Sequence, residues 1–330
     1  MNHQKAATSQ LRILIVKTSS MGDVIHNLPV VVDIMEHYPD SQIEWMVEES
    51  FSSIPKMHPA VSSVIPVAIR RWRKSLLSRS TWHELSYLRS TLKSRKYDYI
   101  IDTQGLIKSA LLTRLANGLI CGFDWSSLRE PLASMFYQRT FHVSKELHAV
   151  ERNRTLVSLS LGYKVCNTAN FGISTPSVPR FEWLHNDSYA VFLHSTSRAD
   201  KLWDDSNWHE LGRALSSMNL FAVLPWGNEV ELQRSRQLAD RIPHSICPPK
   251  LSIENLSVLL AKASFVVGVD TGLSHLASSL GVPTIGIYTS TDPALTGLYP
   301  GPCIINLGSI NQSPTVSDVI TALHRIMPCR

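Results

Sequence analysis

Residues 13–31, ILIVKTSSMGDVIHNLPVV, decide the fold. Ile13 to Val16 form an uninterrupted apolar run that suits a strand covered on both faces. Lys17 ends the run. The hydroxyl-rich turn Thr18-Ser19-Ser20 then leads past Gly22 into a helical pattern. A buried strand, a short turn and a helix, in that order, open a βαβ unit. Asp23 sits where the strand gives way to the helix. With Ser20 it matches the S-x-x-D capping box, so it reads either as a helix cap or as an acid that faces a ligand.

The same alternation continues down the chain. Strand-like runs fall at residues 42–49, 62–69, 97–104 and 118–123, and helical patterns at 24–38, 81–96, 107–116 and 149–162. Regularity lapses over 164–187, rich in Pro, Ser, Thr and Asn, which reads as a linker. It restarts with strands at 189–196, 221–227, 265–270 and 283–289. Helices are expected at 207–219, 229–240, 253–263, 272–281 and 315–327, the last opened by Thr315 and Asp318 in capping-box spacing. The chain therefore reads as two doubly wound α/β halves. In such sheets ligands bind beyond the carboxyl ends of the strands.

Composition supports this. Hydrophobic residues make up 44% and charged residues 18%, as in globular domains with real cores. No apolar run approaches the roughly 20 residues of a membrane span, and the N-terminal stretch does not have the form of a signal peptide. The five cysteines are scattered and none forms C-x-x-C, which argues against a disulfide framework or zinc site and for a cytoplasmic protein. The net charge of +5 is locally concentrated. Between Arg70 and Lys96 there are nine Lys or Arg and one acid, Glu84. That field suits a polyanionic partner. Nucleic acid is disfavoured, because aromatic interleaving is sparse and no nucleic-acid-binding signature occurs.

Three strand ends in the second half carry polar groups. FVVGVDTGLSHLAS (265–278) ends a strand at Asp270 and opens a helix at Thr271 and Gly272. Free N–H groups and the helix dipole there favour phosphate, and His275 lies in the first turns. On spacing alone, a capped turn with a core histidine is the favoured reading. FLHSTSRADKLW (192–203) offers Ser195, Thr196, Ser197, Arg198 and Lys201, either a phosphate-binding turn or a solvated loop. LPWGNEVE (224–231) offers Trp226, Gly227 and Glu231, which read as packing and surface residues unless the three ends converge. No G-x-S-x-G, H-E-x-x-H, Walker or G-x-G-x-x-G motif is present, so hydrolase, zinc-peptidase and dinucleotide chemistry are disfavoured.

VKTSSMGDVIHNLP, VIPVAIRRWRK, IDTQGLIKSALLTRLA, REPLASMFY, HAVER, LPWG and FVVGVDTGLSHLA run in order from about Leu11 to Tyr299. Together they resemble the bacterial lipopolysaccharide heptosyltransferases, the ADP-heptose glycosyltransferases. KTSSMGDV and VDTGLSHL mark the group, and RRWRK with REPLAS points to the branch that adds the first heptose. The resemblance implies a GT-B fold: two Rossmann-like domains facing a central cleft, an acceptor domain over 1–175 and an ADP-heptose domain over 188–330, with the last helix packing back on the first domain. It implies inverting transfer of L-glycero-D-manno-heptose from ADP-heptose to the first Kdo of Kdo-lipid A, with no metal or other cofactor, by a protein in peripheral contact with the cytoplasmic face of the inner membrane.

Position by position, the resemblance makes Asp23 the general base and Lys201 the diphosphate-holding lysine. Thr196 and Ser197 become the hydroxyl pair of the donor site. Trp226, Gly227, Glu231 and Leu251 line the nucleoside, and Asp270, Thr271, Gly272 and His275 form the nucleotide-sugar turn. Arg70, Arg71, Arg73, Lys74 and Arg129 meet the acidic acceptor. Departures are modest. Ser197 stands where threonine is usual and Leu251 where methionine is. IYTSTDP replaces a Gly-Pro before TDP, and SRADK lacks one acid of the usual TRDDK. Residues 1–10 receive no role. The competing readings are an ADP-heptose transferase acting on an already heptosylated core, and a non-catalytic binder of polyanions or membrane surfaces.

Overall fold

The computed structural model describes residues 10–175, 181–184, 188–218 and 220–327, and the chain divides after Gly172 into two units. The division falls in the irregular stretch 164–187, of which 176–180 and 185–187 lie outside the described residues, as do residues 1–9.

The first unit runs β1 (Arg12–Val16), α1 (Met21–Ile25), α2 (Pro29–His37), β2 (Gln42–Glu48), α3 (Ser53–Lys56), β3 (Val61–Val67), α4 (Ile69–Trp72), α5 (Arg79–Lys93), β4 (Lys96–Asp102), α6 (Ile107–Thr113), β5 (Asn117–Phe123), β6 (Arg139–Phe141) and α7 (Ala149–Leu161). Its strands are all parallel, in the order β3-β2-β1-β4-β5-β6. Ile13 to Val16 are fully buried because β1 lies mid-sheet with helices on both faces. The helix expected over 24–38 is instead two helices. Pro29 lacks an N–H and its ring crowds the carbonyl four residues back, so the chain turns at 26–28 and Pro29 opens α2.

The second unit runs β7 (Tyr189–Leu193), α8 (Asp205–Ser217), β8 (Phe221–Val223), α9 (Glu229–Ala239), β9 (Ser245–Ile246), α10 (Ile253–Lys262), β10 (Phe265–Val269), α11 (Gly272–Ser279), β11 (Thr284–Tyr288), α12 (Pro293–Thr296), β12 (Ile304–Gly308) and α13 (Val316–Ile326). Its parallel sheet has the order β12-β11-β10-β7-β8-β9. Renumbered from β7 and read from the other edge, that is the first unit's order, 3-2-1-4-5-6. Thr315 and Asp318 form the expected capping box of α13, whose Val319, Leu323 and Ile326 enter the second unit's core beside Trp203 and Trp208. A Cβ on Gly268 would lie 2.2 Å from Ser274 Oγ, and that hydroxyl donates to Val269 O at 2.8 Å. Gly268 thus lets α11 settle directly onto the strand it follows.

In a sheet of this order, sequence runs outward from the centre in both directions. The two central strands leave their connecting loops on opposite faces, which opens a crevice at their carboxyl ends. That point lies between β1 and β4 in the first unit, and between β7 and β10 in the second.

Candidate active site

The first unit places Asp23 at its switch point. After β1, the Thr18 and Ser19 amides donate to Gln104 Oε1 at 3.0 and 2.9 Å, and Gln104 follows β4. This bridge fixes the turn that carries α1. Asp23 Oδ2 accepts from Ser20 N at 2.7 Å and from Ser20 Oγ at 2.9 Å. Oδ1 takes no protein hydrogen bond among the described residues. One oxygen therefore caps the helix, and capping does not occupy the other.

Two buried charged residues that sequence reasoning passed over lie at the same switch point, after β1 and at the end of β4. Lys17 is 6% exposed, and its Nζ donates to Thr103 O at 2.8 Å and Asn153 Oδ1 at 3.4 Å. Burial pushes its ammonium below the ordinary lysine value, against the pull of Asp23 and Asp102. Asp102, fully buried at the end of β4, is pushed up by burial although the Gly105 and Gln104 amides, Ser109 Oγ and Tyr137 OH all donate to it. The available signals were a lysine closing an apolar strand and an acid closing another.

The second unit's switch point is built around Asp270. Lys201 Nζ donates to its Oδ2 at 2.7 Å, and Thr291 Oγ1 donates to the same oxygen at 2.7 Å. His275 Nε2 lies 3.8 Å from Oδ1. Burial alone would raise the Asp270 carboxyl, but hydrogen bonds from His275, Lys201 and Thr291 outweigh it and hold the group well below the usual carboxylate range. Thr196 Oγ1 donates to the Asp270 carbonyl at 3.0 Å, tying the loop after β7 to the one after β10. Ser197 beside it is exposed. Thr271 is the N-cap of α11 and Gly272 its first residue. The expected turn thus brings Thr196, Lys201, Asp270, Thr271, Gly272 and His275 together.

Trp226 and Gly227 lie in the loop after β8, Glu231 in the first turn of α9 that follows it, and Leu251 in the loop after β9. Glu231 accepts from Gly227 N and from Asn228 Nδ2, both at 2.7 Å, at the start of α9. Trp226 Nε1 donates to Pro248 O at 2.8 Å, and Lys250 Nζ lies 5.9 Å over its ring. These contacts join the two loops and hold the indole and carboxylate in one orientation. Leu251 is half-buried beyond them.

The basic group after β3 divides in two. Arg71 is bound by two carboxylates, Glu49 at 3.1 Å and Glu84 at 2.8 Å, and Trp72 Nε1 also donates to Glu84 at 2.8 Å. Arg71 clamps α4 to α5. Arg70 lies 5.2 Å over the Phe51 ring, and Arg73 and Lys74 are exposed without a carboxylate partner among the described residues. Arg129, also exposed, comes from the connection after β5.

Two parallel sheets of this order, each with polar groups gathered at its switch point, make up the two-domain architecture of the GT-B fold. The family model described as glycosyltransferase family 9 (heptosyltransferase) matches residues 86–323. Lipopolysaccharide heptosyltransferase 1 of Salmonella typhimurium is 47% identical over 88% of this chain and 92% of its own. The Pseudomonas aeruginosa protein of the same name is 42% identical over 91% of this chain and 84% of its own. The solved E. coli heptosyltransferase WaaC with ADP superposes with a TM-score of 0.87 at 43% identity, covering 95% of this chain and 99% of that one. The chain belongs to glycosyltransferase family 9.

Proposed function

We propose that the protein transfers L-glycero-D-manno-heptose from ADP-heptose to the first Kdo of Kdo-lipid A, with inversion, at the cytoplasmic face of the inner membrane. The observation that carries this reading is the match, TM-score 0.85 at 42% identity, to E. coli WaaC with ADP-2-deoxy-2-fluoro heptose. The residues of the second unit's switch point suit such a donor.

In this reading Asp23 Oδ1 takes the proton from the Kdo hydroxyl as it attacks. Lys201, oriented by Asp270, places its remaining donor protons on the diphosphate, and the free amides at the start of α11 share the charge that builds as ADP leaves. Thr196 and Ser197 add hydroxyls, while Glu231, Trp226 and Leu251 hold the nucleoside. His275 keeps Asp270 in place. Arg70, Arg73, Lys74 and Arg129 meet the anionic acceptor. Arg71 supports them from behind, because its own charge is taken by Glu49 and Glu84.

The test is ADP release from ADP-heptose with and without Kdo-lipid A. Release that requires Kdo-lipid A is expected. Release only with an already heptosylated acceptor would move the protein one step along the core, and no release with either would remove the transferase reading. Lys201→Ala gives a second check. It removes the ammonium that meets the leaving group, so kcat is expected to fall by about 10²-fold or more, the scale of losing one preorganised charge-stabilising donor. ADP affinity, measured by calorimetry, falls as well. Unchanged ADP affinity would place Lys201 outside the donor site.

A further inference from the structure

The segment after the basic run is apolar where it meets water. Leu76 is 56% exposed, Leu77 101% and Trp82 62%. Isolated exposed leucines are ordinary, but these three are held together. Trp82 Nε1 donates to Leu76 O at 2.8 Å, and Thr81 Oγ1 to Ser75 O at 2.9 Å. The Arg71–Glu84 and Trp72–Glu84 contacts lock the flanking helices α4 and α5. The result is a preformed apolar knuckle rather than a loose loop.

Its rim is cationic. Glu84 is the one acid between Arg70 and Lys96, and it already serves Arg71 and Trp72. Arg73, Lys74 and Arg79 are exposed and have no carboxylate partner among the described residues. Aliphatic tips, an amphipathic indole tied by its N–H, and unpaired cations beside them match an anionic bilayer surface. Leucines enter the acyl boundary, tryptophan settles at headgroup level, and Lys and Arg meet lipid phosphates. A protein partner would not demand unneutralised cations beside every exposed leucine. No helix among the described residues is long and apolar enough to cross a membrane.

We propose that residues 73–82 are the docking surface for an anionic membrane, with Leu76, Leu77 and Trp82 inserting and Arg73, Lys74 and Arg79 pairing with lipid phosphates. The proposal rests on the reading of the acceptor as a membrane lipid. It also accounts for position. The knuckle follows the carboxyl end of β3, the same sheet edge at which Asp23 follows β1. A chain seated this way presents that edge to a lipid-borne sugar.

The experiment is co-sedimentation of the full chain with vesicles of phosphatidylglycerol in phosphatidylcholine, and with pure phosphatidylcholine. Binding to the anionic vesicles that weakens with salt is expected. Leu76→Ser/Leu77→Ser is expected to lower partitioning by about tenfold or more, the scale of two leucines withdrawn from an apolar phase. On binding, the wild-type tryptophan emission should shift to the blue, and Trp82→Phe should remove most of that shift. With a deacylated, water-soluble Kdo acceptor, the leucine variant should turn over like the wild type. Equal partitioning of wild type and leucine variant would overturn the proposal, as would absence of binding to anionic vesicles. So would a dimer that the leucine variant abolishes in a wild type that ignores vesicles, since the knuckle then joins two copies. Normal vesicle binding with no transfer to either acceptor would overturn the proposed function and leave the docking surface standing.

Discussion

Asp23→Asn is expected to lower kcat by about 10²–10⁴-fold, the usual contribution of a positioned general base. Asparagine is the informative replacement because Asp23 does two things. Its Oδ2 accepts two hydrogen bonds from Ser20, and losing a cap of that kind costs about 0.5–2 kcal/mol. Alanine would remove cap and base together, and a fall in rate could then be blamed on a frayed α1. The asparagine oxygen keeps the Ser20 contacts and cannot accept a proton from a sugar hydroxyl at neutral pH. ADP-heptose affinity, measured by calorimetry, should stay within a few-fold of wild type, since the donor-site residues lie in the other unit. A kcat within about threefold of wild type would exclude Asp23 as the base, because the smallest effect of such a group is near 10²-fold.

Asp33→Ala is expected to be the most damaging change to stability. Arg154 on α7 is 2% exposed and Asp33 on α2 is 7% exposed. The guanidinium donates to both Asp33 oxygens, at 2.8 and 3.0 Å, and also to the Asn167 carbonyl at 2.8 Å. Its other carboxylate, Glu151 at 3.1 Å, is about a third exposed. Removing Asp33 leaves a buried cation without its main counter-charge, at a cost of about 3–5 kcal/mol. Against a typical total of about 5–15 kcal/mol, that is a large share. Urea unfolding should show the midpoint fall accordingly. Replacing both partners by apolar residues, Asp33→Leu with Arg154→Met, should cost clearly less than Asp33→Ala, because no charge is then stranded. A midpoint change worth under about 1 kcal/mol for Asp33→Ala would mean that water reaches the pair.

What the sequence made legible follows from where information is local. Central strands such as β1 and β10 are covered on both faces, so their residues are apolar without a break and announce themselves. The edge strands β6 (RTF), β9 (SI) and β12 (IINLG) did not. A short edge strand pairs on one side only and needs no continuous apolar run. Pro29 carried the sign of the helix break, and helical periodicity on both sides masked it. In the second unit, Asp270 and Gly272 could be found because one follows a strand and the other opens a helix, and Lys201 because it lies in the polar connection just after β7. Thr291, which donates to Asp270 from 21 residues downstream, could not. Lys17 and Gln104 meet partners 86 residues apart in sequence, an adjacency that only the sheet creates. Arg71 shows the limit most plainly. Charge count groups it with Arg70, Arg73 and Lys74, yet its guanidinium belongs to Glu49 and Glu84.

The strand order 3-2-1-4-5-6 has a consequence for how such a protein can change over generations. Asp23, the proposed base, stands on α1 just after the innermost strand β1, whereas the proposed acceptor groups lie in the connections after β3 and β5, nearer the two rims of the same sheet. Those loops can lengthen, shorten or be exchanged without moving the innermost strand pair by an ångström. A lineage built on this plan can try new lipid or sugar recipients at the periphery while its reaction centre stays untouched. Novelty in what is glycosylated then arises by rewriting two hairpin-sized inserts, not by reinventing the chemistry.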